Sequence, residues 1–132
     1  MQFLVTADGS VQIKDDSTVG RDHYGSLAVD GCLRLSPGEC RTLARVSKCV
    51  GGEVRVDVEL TARAFDDCVR VTGKAQLFEG DQCSNARCRD EELYSALVSP
   101  GHPESFTVHL RYRTRWTKDK GDGTLAIKVE CI

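Results

Sequence analysis

The sequence has no apolar run near the roughly 18 residues of a membrane-crossing helix, so no helical span is expected. It has no excess of one charge either: 18 Lys and Arg stand against 20 Asp and Glu among 132 residues, a formal net charge of -2. That balance excludes the overall basic field of a nucleic-acid or anionic-membrane binder, and a disordered acidic tail as the dominant feature. No glycine-rich phosphate loop of the Walker type occurs. No low-complexity linker divides the chain, so one domain over residues 1–132 is expected. Met1-Gln2-Phe3-Leu4-Val5 is too short for the apolar core of a signal peptide, and no basic segment precedes it. On an exported protein this chain would be the mature form with a start Met added; on a cytosolic one Met1 would be native.

What the sequence does have is period two. Val54, Val56, Val58, Leu60, Ala62 and Ala64 alternate with Arg55, Asp57, Glu59, Thr61 and Arg63. Successive strand side chains point to opposite faces, so this is a half-buried strand. Val69, Val71, Gly73, Ala75 and Leu77 alternate with Arg70, Thr72, Lys74 and Gln76. A turn at Asp66-Asp67 would set Ala64 opposite Val69, Ala62 opposite Val71, Val58 opposite Ala75 and Val56 opposite Leu77. It would also set Glu59 opposite Lys74, a favourable pair. A second hairpin is expected from Phe106, Val108, Leu110, Tyr112 and Trp116, through a loop over residues 118–123, to Leu125, Ile127, Val129 and Cys131. A third, around the type I′ pair Asp8-Gly9, is expected over residues 3–14.

Ser36-Pro37-Gly38 and Ser99-Pro100-Gly101 each follow a short apolar strand and precede an alternating one. Their likeness raises the idea of two related halves. Ser36-Pro37-Gly38-Glu39 also reads as a capping box with Pro at the first helical position. A helix over residues 40–50 is the alternative to a strand with Cys40, Thr42, Ala44 and Val46 on one face; the strand is favoured, since the second Ser-Pro-Gly precedes a clear strand. Residues 15–26 and 80–92 read as loops. The fold class expected is all-β: an antiparallel β-sandwich, immunoglobulin-like or C2-like, of about six to eight strands with at most one short helix. No residue signature ties it to a family, because Trp116 follows six of the seven cysteines.

Those cysteines are Cys32, Cys40, Cys49, Cys68, Cys83, Cys88 and Cys131, and a disulfide framework is expected. At least two bridges are expected and at most three, since the odd number leaves one thiol over even when the other six pair. Cys83 and Cys88 are the best local pair, and Cys68 and Cys131 each stand at a strand end. The alternatives are small buried hydrophobes in a cytosolic protein, or zinc. Zinc lacks a second close cysteine pair, and His23, His102 and His109 are scattered.

No local signature joins the cysteines to a base, and Asp66-Asp67 and Asp90-Glu91-Glu92 read as turn and loop rather than catalytic pairs, so no enzyme is expected. No resident cofactor is expected beyond calcium, for which Asp66, Asp67, Asp119 and Asp122 are the candidate ligands if their loops share one end of the sandwich. Asp15-Asp16 is a third acidic tip. The best-defined exposed feature is the row His109, Arg111, Arg113 and Arg115, which would grip carboxylates or phosphates, or else be neutralised by acids such as Glu130 on the next strand. The function expected is a secreted, disulfide-stapled binding or accessory module with a protein or glycan partner. The alternatives are a calcium-dependent, C2-like peripheral membrane domain and a small secreted effector, toxin or protease inhibitor. The location expected is extracellular, with cytoplasmic as the other reading. No nucleic-acid partner is expected, membrane contact only through calcium, and the odd cysteine permits a disulfide-linked dimer.

Overall fold

The alternating run becomes strand β5 (Val54–Ala64), whose apolar positions are all buried. β6 (Val69–Glu79) returns beside it, and the register is the expected one: Ala64 faces Val69, Ala62 faces Val71, Val58 faces Ala75 and Val56 faces Leu77. Phe65 N–H donates to the Cys68 carbonyl at 2.8 Å, closing the turn around Asp66-Asp67. Glu59 does lie opposite Lys74, but the charges go elsewhere: Glu59 pairs with Arg45 at 3.4 Å and Lys74 approaches Glu91 at 3.9 Å.

The computed structural model describes residues 1–16, 22–113 and 120–132. Their remaining strands are β1 (Phe3–Asp16), β2 (His23–Ala28), β3 (Gly31–Leu35), β4 (Cys40–Val50), β7 (Arg87–Val98), β8 (Glu104–Arg113) and β9 (Lys120–Cys131). They form an all-β, antiparallel sandwich of two sheets. One is ordered β2-β1-β9-β8, with β3 also on β1; the other is ordered β4-β5-β6-β7. The only helical element among the described residues is a single 3-10 turn at Cys83–Asn85.

β2 and β3 share one register on β1, since Ser10 faces Ala28 and Phe3 faces Leu35, and Val29 N–H donates to the Gly9 carbonyl between them. They act as one interrupted strand. Every strand therefore lies beside its neighbour in sequence, and β9 closes on β1. The result is an up-and-down circuit flattened into two layers, with two seams where sheet meets sheet: β3 against β4, and β7 against β8. The two Ser-Pro-Gly segments are the turns that make those crossings, and Gly38 and Gly101 carry φ of 92° and 80° there. Their likeness is one of task.

Several details differ from the sequence expectation. β1 runs straight through Asp8-Gly9, with no hairpin. A turn there would set Val5 against Gln12 and Phe3 against Lys14, whereas the straight strand puts Phe3, Val5, Ala7, Val11 and Ile13 on the buried face. Gly9 is required in that run, because a Cβ would stand 2.3 Å from the Ala126 carbonyl oxygen. β4 is the strand, not the helix, but its alternation breaks. A bulge between Thr42 and Ala44 turns both Leu43 and Ala44 inward, and Cys40 and Thr42 are exposed. β9 begins at Lys120, so Gly121, Asp122 and Gly123 belong to a strand rather than a loop. The two glycines make room for Val54 and Val56 of the opposite sheet. Strands likewise extend into both stretches read as loops, since β1 ends at Asp16 and β7 begins at Arg87.

One half of the capping box forms, without a helix; the other bond is that of a turn. Ser36 N–H donates to Glu39 Oε1 at 2.7 Å and Glu39 N–H to the Ser36 carbonyl at 3.0 Å. The Glu39 N–H goes to the Ser36 carbonyl rather than to its hydroxyl, so the pair closes a turn between two strands instead of starting a helix.

Candidate functional site: the cationic face of β8

On β8, Phe106 and Leu110 are buried, Val108 and Tyr112 half-buried, and His109, Arg111 and Arg113 exposed, as alternation requires. Strand geometry spaces these three at roughly 7 Å. Arg115 and Trp116 lie outside the described residues.

Two strands flank the row. On β9, Asp122 sits opposite Arg111 and Thr124 opposite His109. The Asp122 carboxylate lies 3.6 Å from the Arg113 guanidinium, and Thr124 Oγ1 stands 3.4 Å from His109 Nδ1. The acid that tempers the row is thus Asp122; Glu130, the acid the sequence offered, is engaged with Lys128 at 2.7 Å. That contact, with the carboxylate accepting from the ammonium, holds the Lys128 pKa up.

On the other side is the seam with β7, which no backbone ladder closes. Side chains close it instead. Asp90 Oδ2 accepts the Arg111 backbone N–H at 2.8 Å, and Asp90 Oδ1 accepts the N–H of Glu91. The Arg89 guanidinium lies 4.8 Å from the centre of the Tyr112 ring and reaches Glu79 at 3.8 Å. Tyr94 stacks on Phe106 with ring centres 3.6 Å apart. Burial, then the charge of Glu104, pushes the Tyr94 phenol pKa up. The Arg111 backbone is therefore anchored while its guanidinium is exposed, and no described acid forms an ion pair with it.

Nothing in the sequence singles out Arg89, and Asp90 reads there as a loop residue. The register shifts between Leu77 and Phe78, so Leu77 faces Asp90 and Phe78 faces Cys88, leaving Arg89 as an extra residue. The bulge breaks the alternation that would have revealed the strand. A charged side chain on the inward side of an edge strand also guards that edge against pairing with another chain.

The calcium candidates do not come together. Asp66 and Asp67 occupy the end of the sandwich that holds turns 36–39, 65–68 and 99–103. Asp122 faces Lys14 near the end that holds turns 51–53 and 80–86. A strand as long as β6 separates those ends by roughly 30 Å, far beyond the reach of one ion's ligands. Asp119 lies outside the described residues, among which no group of three or more His, Cys, Asp or Glu could hold a metal.

Among the cysteines, Cys83 bonds to Cys49 rather than to Cys88. Cys83 N–H donates to the Gly52 carbonyl and Gly80 N–H to the Glu53 carbonyl, folding the 80–86 turn over the end of β4. Arg55, opposite Cys49, clamps the same turn: it donates to the Cys83 carbonyl at 2.9 Å and lies 4.2 Å over the Phe78 ring. One bridge thus stands where the sequence leads one to expect at least two; the other five cysteines are free thiols, Cys32, Cys40 and Cys88 exposed, Cys68 half-buried and Cys131 buried.

Among the described residues no helix is long and apolar enough to cross a membrane. Neither a protein-family model nor a curated protein sequence matches the chain.

Proposed function

We propose that the protein is a secreted β-sandwich binding module whose β8 face takes an anionic group, a carboxylate or sulfate, of a protein or glycan partner. The observation that carries this reading is Arg111. Its backbone is pinned by Asp90, so its exposed guanidinium stands on a rigid strand between His109 and Arg113. A pre-positioned guanidinium fork loses less freedom on meeting a carboxylate or sulfate, and its charge-assisted bonds are among the stronger polar contacts. The Cys49–Cys83 bridge favours an oxidising, extracellular setting.

The test is binding to two immobilised probes, a sulfated glycosaminoglycan and a poly-glutamate peptide, over a range of salt. The reading expects binding to at least one, weakening steadily as salt rises. Absence of binding to both at low salt would overturn it.

A further inference from the structure

We propose that Cys68 and Cys131 form a second disulfide, one that joins the two sheets at the end of the sandwich remote from Cys49–Cys83. Cys131 ends β9 on its buried face, 2% exposed, in the same inward row as Val129 and Ile127. The facing sheet can be read from two close approaches, Gly121 against Val54 and Gly123 against Val56. β9 and β5 run the same way, and equal steps along both bring Cys131 level with Ala64. Ala64 pairs with Val69, the residue after Cys68. The backbone gives the same placement independently. Val98 pairs with Val69, and three residues on, Gly101 N–H donates to the Cys131 carbonyl at 3.2 Å. One short turn, residues 99–102, thus touches the neighbourhood of both cysteines.

Cys131 senses Cys68. Burial is the main cause of the raised Cys131 pKa, and the charge of Cys68 adds to it. At Cys68, burial comes first and contact with the Asp67 carboxylate second.

Bridge formation needs a disulfide oxidant, and oxidised glutathione is of the right class. The half-buried Cys68, as thiolate, attacks one glutathione sulfur and expels one glutathione thiolate. The Cys131 thiolate then attacks the Cys68 sulfur of the mixed disulfide and expels the second. Two cysteine protons are released, two electrons pass to glutathione, and one S–S bond replaces another.

The bridge is independent of the β8 face and stands or falls without it. The test is non-reducing peptide mapping of full-length protein folded in a glutathione redox buffer. The expected result is two linked peptides, one holding Cys49 with Cys83 and one holding Cys68 with Cys131. In the Cys68→Ser variant the first should persist while Cys131 reacts with a thiol reagent only on unfolding. Two outcomes would overturn the proposal in folded, oxidised wild type: Cys68 and Cys131 both recovered as thiols, or either of them linked to another cysteine.

Discussion

The carboxylate of Asp90 on β7 accepts the backbone N–H of Arg111 on β8 at 2.8 Å, across a seam that carries no backbone ladder. A side chain here does the work of a strand pair, and it does so at the residue on which the proposed binding face depends. Asp90→Ala should cost about 1–2 kcal/mol in urea unfolding, the usual loss when a charge-assisted hydrogen bond to backbone is removed. Asp90→Asn keeps a carbonyl oxygen in place and should lose less. Equal losses in the two variants would mean that the acceptor oxygen is not what holds the seam.

Close backbone approach at the other seam sets a second expectation. A Cβ on Gly31 would lie 2.1 Å from the Leu43 carbonyl oxygen, at the bulge of β4. Backbone cannot swing aside as a side chain can, so Gly31→Ala should destabilise by about 2 kcal/mol or more. Gly38 has open space around it, and its φ of 92° is the sole obstacle, so Gly38→Ala should cost nearer 1 kcal/mol. Thermal melts of the two variants side by side check the order.

The Cys49–Cys83 bridge closes a loop of sequence separation 34. Chain-entropy reasoning gives it roughly 3–4 kcal/mol. The Cys49→Ala, Cys83→Ala double variant should lose that amount in denaturant unfolding without loss of strand content by circular dichroism. A loss under about 1 kcal/mol would mean that Arg55 and the backbone bonds of the 80–86 turn already hold it.

Glu39 sets a pH dependence. The Ser36 backbone N–H, donating to its carboxylate, is the main reason its pKa lies below the ordinary glutamate value; contact with the Ser36 side chain adds to this. A depressed folded pKa favours the carboxylate in the native state. Its contribution is complete above the unfolded pKa of about 4.3 and is lost as pH falls through the lower folded value. The melting-temperature difference between wild type and Glu39→Gln should thus shrink as pH drops below about 4. A difference constant from pH 7 to about pH 3 would remove Glu39 from the acid response of the fold.

Alternation made much of this fold legible. From Val54 to Leu77 it fixed the register residue by residue, because a one-step slip would expose a whole buried row. It failed where one residue is inserted. The bulges at Leu43 and Arg89 reverse parity, and a reversed parity reads as a loop or a helix. At Asp8-Gly9 the turn-forming dipeptide outweighed a parity that runs unbroken from Phe3 to Ile13; glycine there answers the Ala126 carbonyl, not a turn. The exposed row on β8 was legible for the same reason as its buried row. Its neutralising acid and its anchor were not, because Asp122 and Asp90 stood in segments read as loops. Nor was the partner of Cys83, since pairing depends on how the turn folds over β4.

The proposed role of the β8 face is tested most directly by the Arg111→Ser, Arg113→Ser double variant, measured for both binding and stability. Arg113 and Asp122 form a partly exposed pair, and such pairs contribute about 1 kcal/mol or less, so the melting temperature should stay within a few degrees. Affinity for the anionic probe bound by wild type should fall by about tenfold or more, as expected when charge-assisted contacts are removed. Unchanged affinity with a lowered melting temperature would contradict the account and make the row a structural feature of the sheet.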